Sequence, residues 1–177
     1  MGPADLLILL VAAGVVFFLT YARMAKALFS LAILWAATMF SLLLYKEAAY
    51  RIQAVAGPDT SVTEGLMFIA LFALFFGLGY AAIHAAFPVT KLPKLGILDP
   101  LMGLLLGIIV AAVMVALFQS AIGLMVSERW TNPRTWITWR NNYLASPLRP
   151  FSIKLLSLYR WLFAPFFRIP PPILTPQ

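Results

Sequence analysis

Few side chains in this sequence could do chemistry, and their spacing narrows what that chemistry is. His84 is the only histidine and sits in an apolar run beside small residues. Alone it offers one axial haem ligand, one proton carrier or one quinone contact, and the common state of such a histidine is a plain hydrogen bond. A bis-histidine haem is excluded by count, while the seven methionines leave His/Met ligation formally open. There are no cysteines, so disulfides, thiolate-held clusters, c-type haem attachment and cysteine nucleophiles are excluded. Asp5, Glu47, Glu64 and Asp99 each stand near the end of an apolar run, where a carboxylate caps a helix or meets water. Gln119 and Ser120 are the one strongly polar pair well inside such a run, placed to hydrogen-bond across helices or to line a narrow path. The phosphate-loop patterns GxGxxG and GxxxxGK[ST], metal-ligand clusters and serine triads are missing. The expectation is a chain with no catalytic residue, no cofactor and no metal, and not an enzyme by itself.

The elements that carry these residues are set by hydrocarbon. Apolar residues make up 63% of the chain and the few charges cluster between apolar blocks, the composition of an integral membrane protein. A bilayer core of roughly 30 Å needs about 20 helical residues, and four runs approach or exceed that, at about 5–21, 27–45, 63–87 and 99–126. They are apolar at successive positions with no two-residue alternation, whereas barrel strands alternate. The N-terminus lacks a basic leader and a myristoylation pattern, so the first run is expected to be retained. The fold class is an all-α membrane protein with four transmembrane helices arranged as two antiparallel hairpins. Residues 22–26 are too few for anything but a tight turn, and Pro88, Pro93 and Gly96, with Lys91 and Lys94, break the chain before the fourth span. The second span is expected to continue past the interface through Glu47 to Gln53. Gly57-Pro58-Asp59 is turn chemistry, and Thr60 or Ser61 is positioned to cap the third span, with Glu64 in its first turn.

Asp99-Pro100 opens the fourth span, because an Asp side chain accepts an unpaired backbone N–H and Pro has none to lose. Small residues then recur four apart, at Gly103, Gly107 and Ala111 here and at Ala73, Gly77, Ala81 and Ala85 in the third span. Such ladders let helix backbones approach closely. The two are expected to face each other, with contact to another subunit as the competing use.

Residues 127–177 are a different material from the 1–126 membrane domain. After Glu128 there is no acidic residue, while Arg129, Arg134, Arg140, Arg149, Lys154, Arg160 and Arg168 alternate with Trp130, Trp136, Trp139, Tyr143, Tyr159 and Trp161. Aromatic rings straddle the headgroup layer and cations meet anionic lipid there, so the lipid bilayer with its anionic lipids is the expected partner, and nucleic acid is not, given sparse charge on a membrane-tethered segment. Phe151–Phe167 contains Lys154 and Arg160 and is interrupted by Pro165. Each central cation would cost about 2.5–3.5 kcal/mol in a crossing helix, so an amphipathic helix in the interface plane is expected. Pro170-Pro171-Pro172 and Pro176 then imply an extended tail. The short loops carry Arg23, Lys26, Lys91 and Lys94, and counting them alone places both termini outside, whereas counting Lys46, Arg51 and the basic tail as well places the tail inside.

Four spans, Asp5 at the mouth of the first, and the Asp99-x-x-x-Gly103-x-x-x-Gly107 motif opening the fourth resemble the colicin V production protein family of bacterial inner-membrane proteins; Lys26–Leu31 with Trp35 matches more loosely. The resemblance covers about Asp5–Val126. It departs from the family where Val110-Ala111 replaces a common Arg-Gly and where the first connection lacks a glycine. It implies a multi-pass protein of the bacterial inner membrane associated with colicin export and envelope maintenance, with no established catalytic chemistry. Two functions follow as expectations. The first is a non-catalytic factor in transport or envelope maintenance, acting as a homo-oligomer. The second is a cofactor-free accessory subunit of a larger respiratory or photosynthetic electron-transfer complex, with the Pro-rich tail laid on a neighbour.

Overall fold

The computed structural model describes residues 2–56, 59–87, 98–163, 165–167 and 171–174. Helical backbone runs from Pro3 to Ala56 as α1, 54 residues that would extend about 80 Å if straight. It holds two apolar spans, Pro3–Ala22 and Met24–Gln53, followed by α2 (Thr60–Ala86) and α3 (Leu98–Met125) as the third and fourth. Side-chain contacts fix their directions. Ser61 Oγ donates to the Met125 carbonyl and Phe72 packs edge-on against Phe118, which makes α2 and α3 antiparallel. The second span is antiparallel to α2, because Lys26 meets His84 at one end, Phe40 meets Phe75 midway and Gln53 donates to Thr60 at the other. The first span is antiparallel to α3: Gly107 lies against Val16 and Leu19, while Asp5 and Gln119 line one cavity. The two halves of α1 therefore run in opposite directions, and the four spans form two hairpins as expected.

The first hairpin turns without glycine or proline while keeping helical backbone through Ala22–Lys26. Thr20 Oγ1 donates back to the Val16 carbonyl, a bond that tends to bend helices. At the bend the Met24 amide donates to Asp99 Oδ1 at 3.0 Å, so the turn is held by a carboxylate from the fourth span. Asp99 thus makes a contact to the first hairpin that its place at the start of a helix did not suggest. The residue lies inside the first turn of α3, 1% exposed, and it clasps the other hairpin; Pro100 follows it, half-buried.

The start of α2 also differs from expectation. α2 begins at Thr60 with Asp59 in the capping position and no side-chain cap, and Glu64 falls beyond the first turn. The Asp59 carboxylate is otherwise engaged, accepting from the backbone N–H and hydroxyl of Thr131 at 2.8 and 2.9 Å. The connection carrying Pro88, Lys91, Pro93, Lys94 and Gly96, the Gly57-Pro58 pair, Arg168, and the prolines at 170 and 176 lie outside the described residues.

The C-terminal segment holds two helices. α4 (Pro133–Leu144) starts with Asn132 Oδ1 accepting the Thr135 amide and Pro133 in its first turn, both favourable starts. α5 (Leu148–Phe163) is amphipathic, with Ser152, Leu156, Tyr159 and Phe163 on its buried face. α5 packs along the bundle. It leaves the end of the bundle where Ser146 Oγ donates to Asp5 Oδ1 (2.7 Å), and climbs until Tyr159 OH meets Thr38 Oγ1 (3.2 Å) and Phe163 stacks on Trp35 (5.9 Å). Thr38 and Trp35 stand near the middle of the second span. A short 3-10 turn, Pro172–Leu174, then returns to α3, where Ser120 Oγ donates to the Ile173 carbonyl. Burial of Leu156, Tyr159 and Phe163 against Trp35 and the core stabilises this placement.

α3 is the centre of the molecule. Val113, Met114, Val115, Ala116 and Leu117 are buried in succession, which happens only to a helix covered on all sides. The first span packs Ile8 and Ala12 on Ala111 and Val115, α2 supplies Phe68 and Phe72, and α5 with the returning turn supplies Leu156, Phe163, Ile173 and Leu174.

Candidate functional site

Three places gather the side chains with functional potential. The first is the end of the bundle where the N-terminus, the end of α3, α4 and the start of α5 meet. A helix C-terminus leaves its last carbonyls without intrahelical donors. Here Trp130 Nε1 donates to the Met125 carbonyl (2.6 Å), Trp136 Nε1 to that of Val126 (3.1 Å) and Ser127 Oγ to that of Leu124 (2.7 Å). The indoles expected at the interface are thus anchored on α3. The Arg129 and Arg140 guanidinium carbons lie 5.7 and 5.0 Å from the Trp136 ring centre, and Trp130 and Trp139 contact each other at 6.2 Å. Both arginines are exposed and sit near the negative end of the α3 dipole, a favourable location for cations.

Behind this surface, Gln119 is 2% exposed and lines two cavities of about 10 Å³ each, one shared with Asp5 and Trp139, the other with Ser152 and Leu156. Its Oε1 has no hydrogen-bond partner among the described residues. Gln119 and Ser120 therefore act as contacts to the C-terminal elements, and cavities of this size form no path through the bundle.

The second place is the opposite end of the bundle. Lys26 is 4% exposed, and its Nζ lies 3.2 Å from His84 Nδ1, with the Tyr80 ring stacked on His84 at 6.3 Å. His84 itself is exposed. Among the described residues no group of three His, Cys, Asp or Glu side chains could hold a metal ion. The contact links the second and third spans.

The third place is the outer face of α2. Ala73, Gly77, Ala81 and Ala85 are all exposed, and a Cβ on Gly77 would meet nothing within 4 Å. The two small-residue ladders do not face each other: Gly103, Gly107 and Ala111 are buried, with Gly107 and Ala111 against the first span. The glycines of α2 that do pack tightly are Gly65 and Gly79. A Cβ on Gly65 would lie 2.5 Å from Met125 Cγ and 2.9 Å from the Ala121 carbonyl, and one on Gly79 2.7 Å from Ile33 Cγ2. Beside the outward ladder an apolar groove of about 260 Å³ runs between Val15, Phe18, Leu19, Phe76 and Tyr80.

The remaining expected interfacial residues spread along α5. Lys154 and Arg160 are exposed on its outer side, and Trp161 is 76% exposed. Sequence reasoning passed over Ser146, Thr131 and Thr38, hydroxyl residues whose partners are far away in the chain, and read Tyr159 only as one of the interfacial aromatics.

The family model described as Colicin V production protein matches residues 4–152. The match extends beyond the expected limit near Val126, through α4 and into α5. No curated protein and no solved structure matches the chain.

Proposed function

The chain belongs to the colicin V production protein family, and from that premise we propose that it serves transport or envelope maintenance in the bacterial inner membrane as a non-catalytic scaffold. The observation that carries this reading is the closed interior. Val113–Leu117 of α3 are enclosed, and the two cavities that Gln119 lines are about 10 Å³ each. On this reading polar solutes do not pass through one copy. Any route for a solute lies between copies or through a partner, and the function of one copy is to present faces to them. The outward ladder of α2 supports a second copy as that partner, since small residues are what close helix approach in lipid requires. The anchored Trp and Arg side chains around the end of α3 support anionic lipid as a partner at that end.

The accessory-subunit reading drew on a tail that needs a neighbour to lie on. Ile173 and Leu174 are buried in this chain's own core, so that argument no longer favours it. Purification from native membranes in mild detergent, with mass determination and mass spectrometry of co-migrating proteins, tests the proposal. A homo-oligomer whose loss sensitises the envelope supports it; stoichiometric co-migration with cofactor-bearing subunits overturns it.

A further inference from the structure

We infer that α5 forms a wedge that enters the bilayer to about its middle and draws acidic phospholipid headgroups inward along its outer face. The depth follows from contacts. Tyr159 meets Thr38 and Phe163 stacks on Trp35, and these partners lie midway along the apolar run that Lys26 and Lys46 bracket. The return follows from Ser120, which donates to the Ile173 carbonyl, and from the burial of Ile173 and Leu174 against α3. Ile173 and Leu174 thus lie back toward the end of α3 beside which α5 starts.

The outer face has mixed character that suits neither plain hydrocarbon nor water. Leu158 and Trp161 are 70 and 76% exposed, beside exposed Lys154, Ser157 and Arg160. The sequence holds no carboxylate after Glu128 to neutralise these cations. A cation facing lipid below the headgroup layer is costly, and the cost is relieved by local thinning and entry of polar groups. The anion that can reach this face is the phosphate of a lipid in the adjoining leaflet, since a free ion would have to leave water without the acyl chains that cover Leu158 and Trp161. Acidic lipids are favoured because their net negative charge complements the two cations. The wedge stands apart from the proposed envelope role and predicts a lipid arrangement, not a phenotype.

The absence of cysteine allows single labels in the full-length protein. Nitroxides would be placed by Leu158→Cys on α5 and by Leu78→Cys on α2, which is 60% exposed and next to Gly79, the residue facing Ile33. Collision with a water-soluble nickel chelate is then read in vesicles with and without phosphatidylglycerol. The expected result is several-fold higher chelate access at 158 than at 78, larger with the acidic lipid, and lost in K154Q/R160Q. Equally low access at the two sites overturns the recruitment of headgroups, and access at 158 equal to that of a Thr138→Cys label on the exposed side of α4 overturns the entry into the bilayer. Access that is high but indifferent to the acidic lipid or to K154Q/R160Q overturns the recruitment of headgroups.

Discussion

The contact between Thr38 and Tyr159 gives the sharpest test of how the C-terminal helix is seated. Thr38 Oγ1 donates its hydrogen to the Leu34 carbonyl at 2.7 Å, so in the 3.2 Å contact with Tyr159 the phenol is the donor. Both residues are buried. Thr38→Val takes the acceptor from a buried phenol. Stranding such a donor costs about 1–3 kcal/mol in proteins generally, and polar pairs between membrane helices average about 0.6 kcal/mol, so about 1–2 kcal/mol is expected here. Tyr159→Phe leaves Thr38 satisfied by Leu34 and should cost less, about 0.5–1 kcal/mol. In the Tyr159→Phe background, Thr38→Val should be nearly neutral, which gives a coupling energy of about 1–2 kcal/mol, and Thr38→Ser should retain it. Unfolding of the purified protein in mixed micelles of increasing SDS fraction measures all four corners. Additivity within about 0.3 kcal/mol would show that the phenol does not reach Thr38, and the account of α5 rising to mid-span would fail with it.

The other predictions concern the spans. Gly65→Ala should lower stability by about 0–2 kcal/mol, the cost of pushing a methyl against the Ala121 carbonyl less the gain in helix propensity, whereas Gly77→Ala should leave it unchanged or raise it by up to about 1 kcal/mol; the reverse order in thermal unfolding would put the wrong face of α2 inside. Bulkier Gly77→Leu should leave the monomer folded yet shift the oligomer to smaller mass by light scattering if the outer ladder seats another copy. Tyr45 is 1% exposed and its hydroxyl has no partner among the described residues, so Tyr45→Phe should be neutral or stabilise by about 1 kcal/mol, and a marked loss of melting temperature would contradict its environment. Asp99→Ala should cost about 1.5–3 kcal/mol through the lost Met24 contact, with Asp99→Asn recovering much of it; equal melting temperatures for all three would refute the clasp.

The number and rough limits of the spans were legible because hydrocarbon tolerates no polar interruption over about 20 residues, and the first hairpin because residues 22–26 are too few for anything else. Facing was not legible. In α2 nearly every residue is apolar, so no amphipathic contrast marks the inward side, and the regular spacing of Ala73, Gly77, Ala81 and Ala85 pointed to the wrong one. The tight approaches fell at Gly65 and Gly79, which belong to no ladder. Asp99 was recognised, yet its role depends on a backbone amide in another hairpin. Lys154 and Arg160 correctly marked an amphipathic helix, while its inclination was decided by Tyr159 and Phe163 finding partners in the second span.

The enclosure of α3 also sets a timetable. The Met24 amide and the Asp99 carboxylate are separated by 75 positions, so at a synthesis rate of about 5–20 residues per second the first hairpin waits about 4–15 s for its clasp. During that interval Ser30, Thr38 and Ser41, all buried in the finished protein, face lipid or the insertion machinery, with their hydroxyls turned onto carbonyls of their own helix one turn back. The second span thus enters the membrane with these polar groups already satisfied, and the nascent chain can idle there until its central helix arrives.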